Sequence, residues 1–179
     1  MLIAKKYQRS KVISFEPEAG NFYKLNKNIL LNGLGNILPF PIGVSDKTAI
    51  SKFYVSSTDL GSSCHSLDKP YSDGSYFTPK NEQGIATYSL NDFILMPEIP
   101  FPNHFKIDVD GFELNVINGC NKILEDTRIK TIVIEINHSE NNNIVENIIK
   151  QAGFVEKMRE KWNSGNEDVF NILFVKNSL

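Results

Sequence analysis

At 179 residues the chain is long enough for one domain with a substantial core and short for two. Its 41% hydrophobic and 22% charged composition excludes a disordered or collagen-like chain. The net charge of -2 leaves no basic footprint for nucleic acid, and the densest basic run, residues 157–161, is broken by Glu160 and reads as a solvated face.

Residues 12–16, VISFE, form a short β-rich run ended by Pro17. Phe22, Leu25, Ile29 and Leu30 follow at helical spacing, and Asn32-Gly33 stops that helix. Residues 37–44 read as a strand interrupted by Pro39 and Pro41, which suits an edge. A short strand follows at 51–56. Residues 57–84 are rich in Gly, Ser, Asp and Pro, have no period, and are expected to be one long loop. A strand at 86–90, a helical turn at 91–95 and a proline-rich connector lead to a buried strand at 105–109. Phe112, Val116, Cys120, Ile123 and Leu124 make an apolar helical stripe. TIVIEI, residues 131–136, is expected to be a strand of a parallel sheet, and Ile144 to Ala152 a helix closed by Gly153. Two last strands, 154–158 and 169–176, predict an antiparallel hairpin at one edge. The alternation predicts an α/β fold with a mostly parallel sheet and helices on both faces.

Cys64 and Cys120 have neither a disulfide framework nor metal-ligand spacing, as expected of reduced cytoplasmic thiols. No apolar run of about 18 residues is present, so no membrane span is expected, and MLIAKKYQRS turns polar too soon for a secretory signal.

In an open α/β sheet, ligands bind beyond the carboxyl ends of the strands. Three strands here end in acids: Glu16, then Asp108 with Asp110, then Glu135. A carboxylate after the second strand of a nucleoside site can accept both ribose hydroxyls; Glu16 is equally readable as a helix-capping acid. Asp108-Val109-Asp110-Gly111 departs from a calcium loop, since its glycine comes three positions after the first Asp and no Glu stands at the twelfth. A strand-to-helix turn with Gly111 in an unusual conformation is the plainer reading, while Asp108, Asp110 and Glu135 leave a metal-dependent hydrolase as a minor alternative. Asp46 is a turn former or an adenine-facing group. His65, His104 and His138 form no triad; His138, just past a strand, is the best placed as a base, and a solvated loop histidine is the bland alternative. Ser62-Ser63-Cys64-His65 lacks the elbow strand that a nucleophile needs.

SFEPEAGNFYKLNKNILLNGL, GVSD, TYSLNDF, FKIDVDGFELNVINGC and IVIEIN, in that order, resemble the FkbM family of methyltransferases, with KIDVDGFE the most specific piece. The resemblance runs from about residue 11 to 137. It implies a class I methyltransferase (Rossmann-like) fold and S-adenosylmethionine as cofactor, with O-methylation of a hydroxyl on a sugar, glycan or natural product. It implies that Glu16 binds the cofactor ribose, that Ser45 and Asp46 lie near the adenine, and that Asp108 and Asp110 lie at the reacting centre, with Asp108 also against the cofactor. His138 is then a possible base, and Ser62, Ser63 and Glu135 contact the acceptor.

Members of that family begin with a strand and a glycine-bearing loop, whereas LIAKKYQRS reads as the end of the helix that follows them. The expectation is therefore a single domain over residues 1–179, truncated at its N-terminus, whose inner strand edges are open to homo-oligomerisation. A catalytically silent remnant that binds a partner is the alternative function.

Overall fold

Ile132, Ile134 and Ile136 alternate along one segment and are 0%, 0% and 3% exposed, a period-2 burial that only an extended strand can give. In the computed structural model this segment is the central strand of the C-terminal half. The structure describes residues 1–72, 75–137, 140–161 and 169–177. The chain divides into two compact units, one of residues 1–44 and 49–87, the other of residues 45–48 and 88–179.

The first unit contains α1 (Leu2–Lys6), β1 (Val12–Phe15), α2 (Ala19–Leu31), β2 (Ile37–Phe40), β3 (Gly43–Val44), β4 (Ala49–Val55), β5 (Ser66–Leu67), β6 (Tyr71–Ser72), β7 (Ser75–Tyr76) and β8 (Asn81–Tyr88). β1 and β2 pair in parallel from Val12↔Ile37 to Phe15↔Phe40. Their helix crossover packs Ala4, Ile29, Leu34 and Ile37 into a small core with Val12 and Leu25. Leu30, expected on the buried stripe, is 81% exposed, because that stripe narrows to Leu25 and Ile29. Asn36 Nδ2 donates to the carbonyls of Ala4 and Ser10, each at 3.1 Å, tying α1 to the turn before β2. The expected strand 37–44 is split in two at Pro41: β2 joins β1, while β3 joins the sheet β3-β8-β4-β5. Residues 57–84 are not one loop. They hold β5, β6, β7 and the first half of β8, which pairs with β4 from Ala49↔Thr87 to Val55↔Asn81.

The second unit contains α3 (Leu90–Phe93), β9 (His104–Ile107), α4 (Glu113–Asn118), α5 (Asn121–Leu124), β10 (Thr131–Asn137), α6 (Glu140–Gln151), β11 (Phe154–Lys161) and β12 (Val169–Lys176). Its sheet has the order β11-β12-β10-β9. β10 is parallel to β9 and antiparallel to β12, and β11 is antiparallel to β12. The expected terminal hairpin thus forms, with β12 inserted between β10 and β11. The expectation of a mostly parallel sheet needs correction, because the sheets are mixed: β1·β2 and β9·β10 are parallel, while β10·β12, β11·β12, β4·β5, β4·β8 and β6·β7 are antiparallel. The single helical stripe expected after Phe112 is two short helices, α4 and α5, separated at Gly119-Cys120. Val116, Ile117, Val145 and Ile149 from α4 and α6 are at most 3% exposed, and each such side chain contributes about 1.5–3 kcal/mol.

Gly119 is where the chain returning from α4 crosses the Ser45–Thr48 segment. A Cβ there would lie 2.0 Å from the Ser45 carbonyl oxygen and 3.1 Å from Asp46 Cα. Its φ of -73° is open to any residue, so the demand for glycine is purely steric. Gly119→Ala is expected to cost about 1–3 kcal/mol of unfolding free energy as overpacking. Gly35→Ala, with nothing within 4 Å of its Cβ, should stay within about 0.5 kcal/mol. Urea midpoints measure both, and equal midpoints for the two variants would contradict the close approach.

Candidate functional site

In the second unit, β9 and β10 run side by side with Lys106 opposite Val133 and Ile107 opposite Ile134. In a parallel ladder, opposed residues share a face, and alternate residues share it too. The face opposite the buried isoleucines therefore carries Lys106 and Glu135, and β12 adds Asn171 opposite Glu135. Beyond the end of β9, Asp108 turns back onto Lys106, whose ammonium donates to Oδ2 at 2.7 Å. Both groups are about half exposed, so the pair is worth little to stability and more to orientation. Asn171 Nδ2 donates to Glu135 Oε2 at 3.3 Å. Partial burial, followed by the charge of Asp108, pushes the Glu135 carboxyl above its ordinary range, against the Asn171 hydrogen bond and the Lys106 charge. Asp108, Asp110 and Glu135 thus share one electrostatic neighbourhood. Among the described residues no group of three or more His, Cys, Asp or Glu could hold a metal ion, so the metal-hydrolase alternative finds no geometric support.

The turn after Asp108 is left-handed twice in succession, at Asp110 (φ 49°) and Gly111 (φ 96°). Glu113, missed as a functional residue although it belongs to the KIDVDGFE motif, accepts the Gly111 N–H at 3.1 Å and is only 7% exposed. Also in this unit, Ser45 is buried and donates through Oγ to Asp46 Oδ1 at 3.0 Å, while Asp46 is exposed.

In the first unit, Glu16 directly follows β1, and its Oε1 accepts the Glu18 N–H at 3.0 Å. The helix cap is Glu18, which accepts from the Asn21 N–H, so the capping role considered for Glu16 passes to its neighbour. Gln83 of β8 grips the intervening turn from both sides: Nε2 donates to the Pro17 carbonyl at 2.6 Å, and Oε1 accepts the Ala19 N–H at 3.2 Å. No local signal could have found Gln83, which lies 64 residues from Ala19. The serine loop folds onto the same end of α2. Asn21 donates to the Ser62 carbonyl and accepts the Gly61 N–H, and Lys24 donates to the Leu60 carbonyl. Glu16 and Ser62 are thus brought to one place. Ser63 is exposed beside Cys64. His65 Nδ1 accepts the Ser56 N–H at 3.1 Å, which commits that nitrogen to the role of acceptor rather than base. His138 lies outside the described residues. A cavity of about 290 Å³ lined by Asp92, Leu95, Phe101, Lys122, Asp126 and Arg128 holds none of the predicted site residues. Among the described residues no helix is long and apolar enough to cross a membrane.

This arrangement is that of a methyltransferase α/β fold. It superimposes with a TM-score of 0.61 on the crystal structure of methyltransferase FkbM from Methylobacillus flagellatus KT, at 15% identity, covering 97% of this chain and 39% of that one. The Methyltransferase FkbM domain model matches residues 2–156, and the chain belongs to that family. Over 144 residues it is 25% identical to the hexuronic acid methyltransferase AglP of Haloferax volcanii, covering 80% of this chain and 54% of that protein. Over 175 residues it is 22% identical to Methyltransferase 1 of Beauveria bassiana, covering 90% of this chain and 70% of that protein. The chain thus spans about half the length of the first of these relatives.

The raised Glu135 carboxyl has a direct consequence for stability. The folded chain holds this proton to higher pH than the unfolded chain does, so the ionised side chain costs stability above the ordinary glutamate range. It costs nothing where the carboxyl is neutral in both states. Glu135→Gln is expected to raise the urea midpoint at pH 7 and to leave it unchanged near about pH 3. A lowered midpoint at pH 7 would contradict the assigned environment.

Proposed function

We propose that the chain is an S-adenosylmethionine-dependent O-methyltransferase acting on a hydroxyl of a sugar or natural product. The observation that carries this reading, beyond family membership, is the carboxylate at the end of β1 on a turn that Gln83 holds at Pro17 and Ala19. A carboxylate is the group suited to accept from both ribose hydroxyls, since its two oxygens offer about four acceptor positions. The resemblance to the family supports the roles residue by residue: Glu16 for the ribose, Ser45 and Asp46 for the adenine, and Asp108 for the cofactor. Bound there, the cofactor supplies a methyl group on a sulfonium, an electrophile that needs no metal to activate it.

The remaining roles belong to the chain. Asp108 and Asp110 orient the acceptor hydroxyl and Glu135 binds it, and Ser62 and Ser63 are assigned to the acceptor by the family resemblance alone. As the acceptor oxygen bonds to the methyl carbon, the methyl–sulfur bond would break with S-adenosylhomocysteine as leaving group, the hydroxyl proton would pass to a carboxylate of the chain, and alignment would supply much of the rate. The name of the Haloferax relative makes a hexuronic acid one acceptor to test. Its hydroxyls suit the acidic surroundings of Asp108, Asp110 and Glu135 better than its carboxylate does, since a second anion there is repelled.

Calorimetric titration of S-adenosylhomocysteine into the chain is expected to show binding of about micromolar strength, weakened at least about tenfold in Glu16→Ala, where about 1.4 kcal/mol corresponds to tenfold. A folded chain that does not bind it would overturn the reading.

A further inference from the structure

Among the described residues Glu113 is the one charged side chain that is buried, and the mechanism above does not use it. α4 opens without a side-chain cap from Phe112, and a serine or aspartate at that position would satisfy its first N–H groups at little desolvation cost. The chain instead buries a glutamate that reaches back two residues to the Gly111 N–H. That hydrogen bond lands on the second of two consecutive left-handed residues, Asp110 and Gly111. A left-handed residue bearing a Cβ persists only where its surroundings over-determine it. The residue so constrained is Asp110, next to the Lys106–Asp108 pair and within the electrostatic reach of Glu135. Burial pushes the Glu113 carboxyl above its ordinary range, and backbone hydrogen bonds oppose that rise without overcoming it.

We propose that Glu113 is a positioning residue whose buried carboxylate clamps residues 108–111 in the turn from which Asp108 and Asp110 meet cofactor and acceptor. This rests on the methyltransferase reading of the same residues. It differs from a general packing role in predicting a local and chemically specific defect.

The test compares Glu113→Ala, Glu113→Gln and a control, Ile149→Val, a trimming of a fully buried residue on α6. Amide hydrogen exchange by NMR and S-adenosylhomocysteine affinity are read for each, with thermal midpoints alongside. Glu113→Ala is expected to speed exchange at Val109, Asp110 and Gly111 by at least about tenfold, leave the β10 amides protected, and weaken S-adenosylhomocysteine by a similar factor. Glu113→Gln keeps an oxygen acceptor at the same reach and should recover most of both. Ile149→Val should lower the midpoint while leaving both local readouts near wild type. Unchanged exchange at residues 109–111 in Glu113→Ala overturns the proposal, as does a control that reproduces both effects. If wild type itself binds no S-adenosylhomocysteine, the cofactor reading falls, and the exchange arm still decides whether Glu113 clamps the turn.

Discussion

The register between β9 and β10 is the constraint on which the carboxylate face of the second unit depends. Ile107 opposite Ile134 commits the alternate residues Lys106 and Glu135 to the other face, and a slip of either strand by one position would turn its charge inward. Ile132, Ile134 and Ile136 enforce that register through the hydrophobic effect, because no other alignment buries all three. β12 repeats the pattern with Ile172 and Phe174 inside and Asn171 opposite Glu135. Chemistry at the strand ends is therefore positioned by a core that takes no part in it.

Each unit pins its acidic group with backbone contacts rather than with other charges. Gln83 holds the turn after β1 through one carbonyl and one N–H, and Glu113 accepts the Gly111 N–H in the turn after β9. Neutral backbone partners fix geometry without neutralising the carboxylates that would work there. Lys106 is the exception, and its half-exposed pair with Asp108 leaves the ammonium able to exchange partners. The requirement for glycine at Gly119 belongs to the same logic, since it lets α4 end against the backbone of Ser45 and Asp46.

Much of this was legible in the sequence, and what was not has physical causes. The apolar run TIVIEI as a strand, the stops at Asn32-Gly33 and Gly153, and the conformational demand at Gly111 are local signals, and the structure reproduces them. β8 was misread because Asn81, Glu82, Gln83 and Gly84 are poor strand formers, and their pairing is supplied by β4, which lies 30 or so residues earlier. The antiparallel pairs come from that segment and from β12, which lies between β10 and β11. Leu30 matched the helical period, yet a stripe wide enough to include it exceeds what the small core beside α2 can cover. Glu16, Asp108, Asp110 and Glu135 were visible as acids at strand ends, whereas Gln83, Asn171 and the burial of Glu113 depend on partners far along the chain or on solvent exclusion. Family membership rests on motif order, which a sequence displays directly; the acceptor depends on loops whose side chains follow no period.

The measurement that bears most directly on the central claim is a crystal structure of the chain with S-adenosylhomocysteine. The account predicts both ribose hydroxyls donating to the Glu16 carboxylate, with the Gln83 contacts to Pro17 and Ala19 unchanged. A nucleoside bound without contact to Glu16 would contradict it.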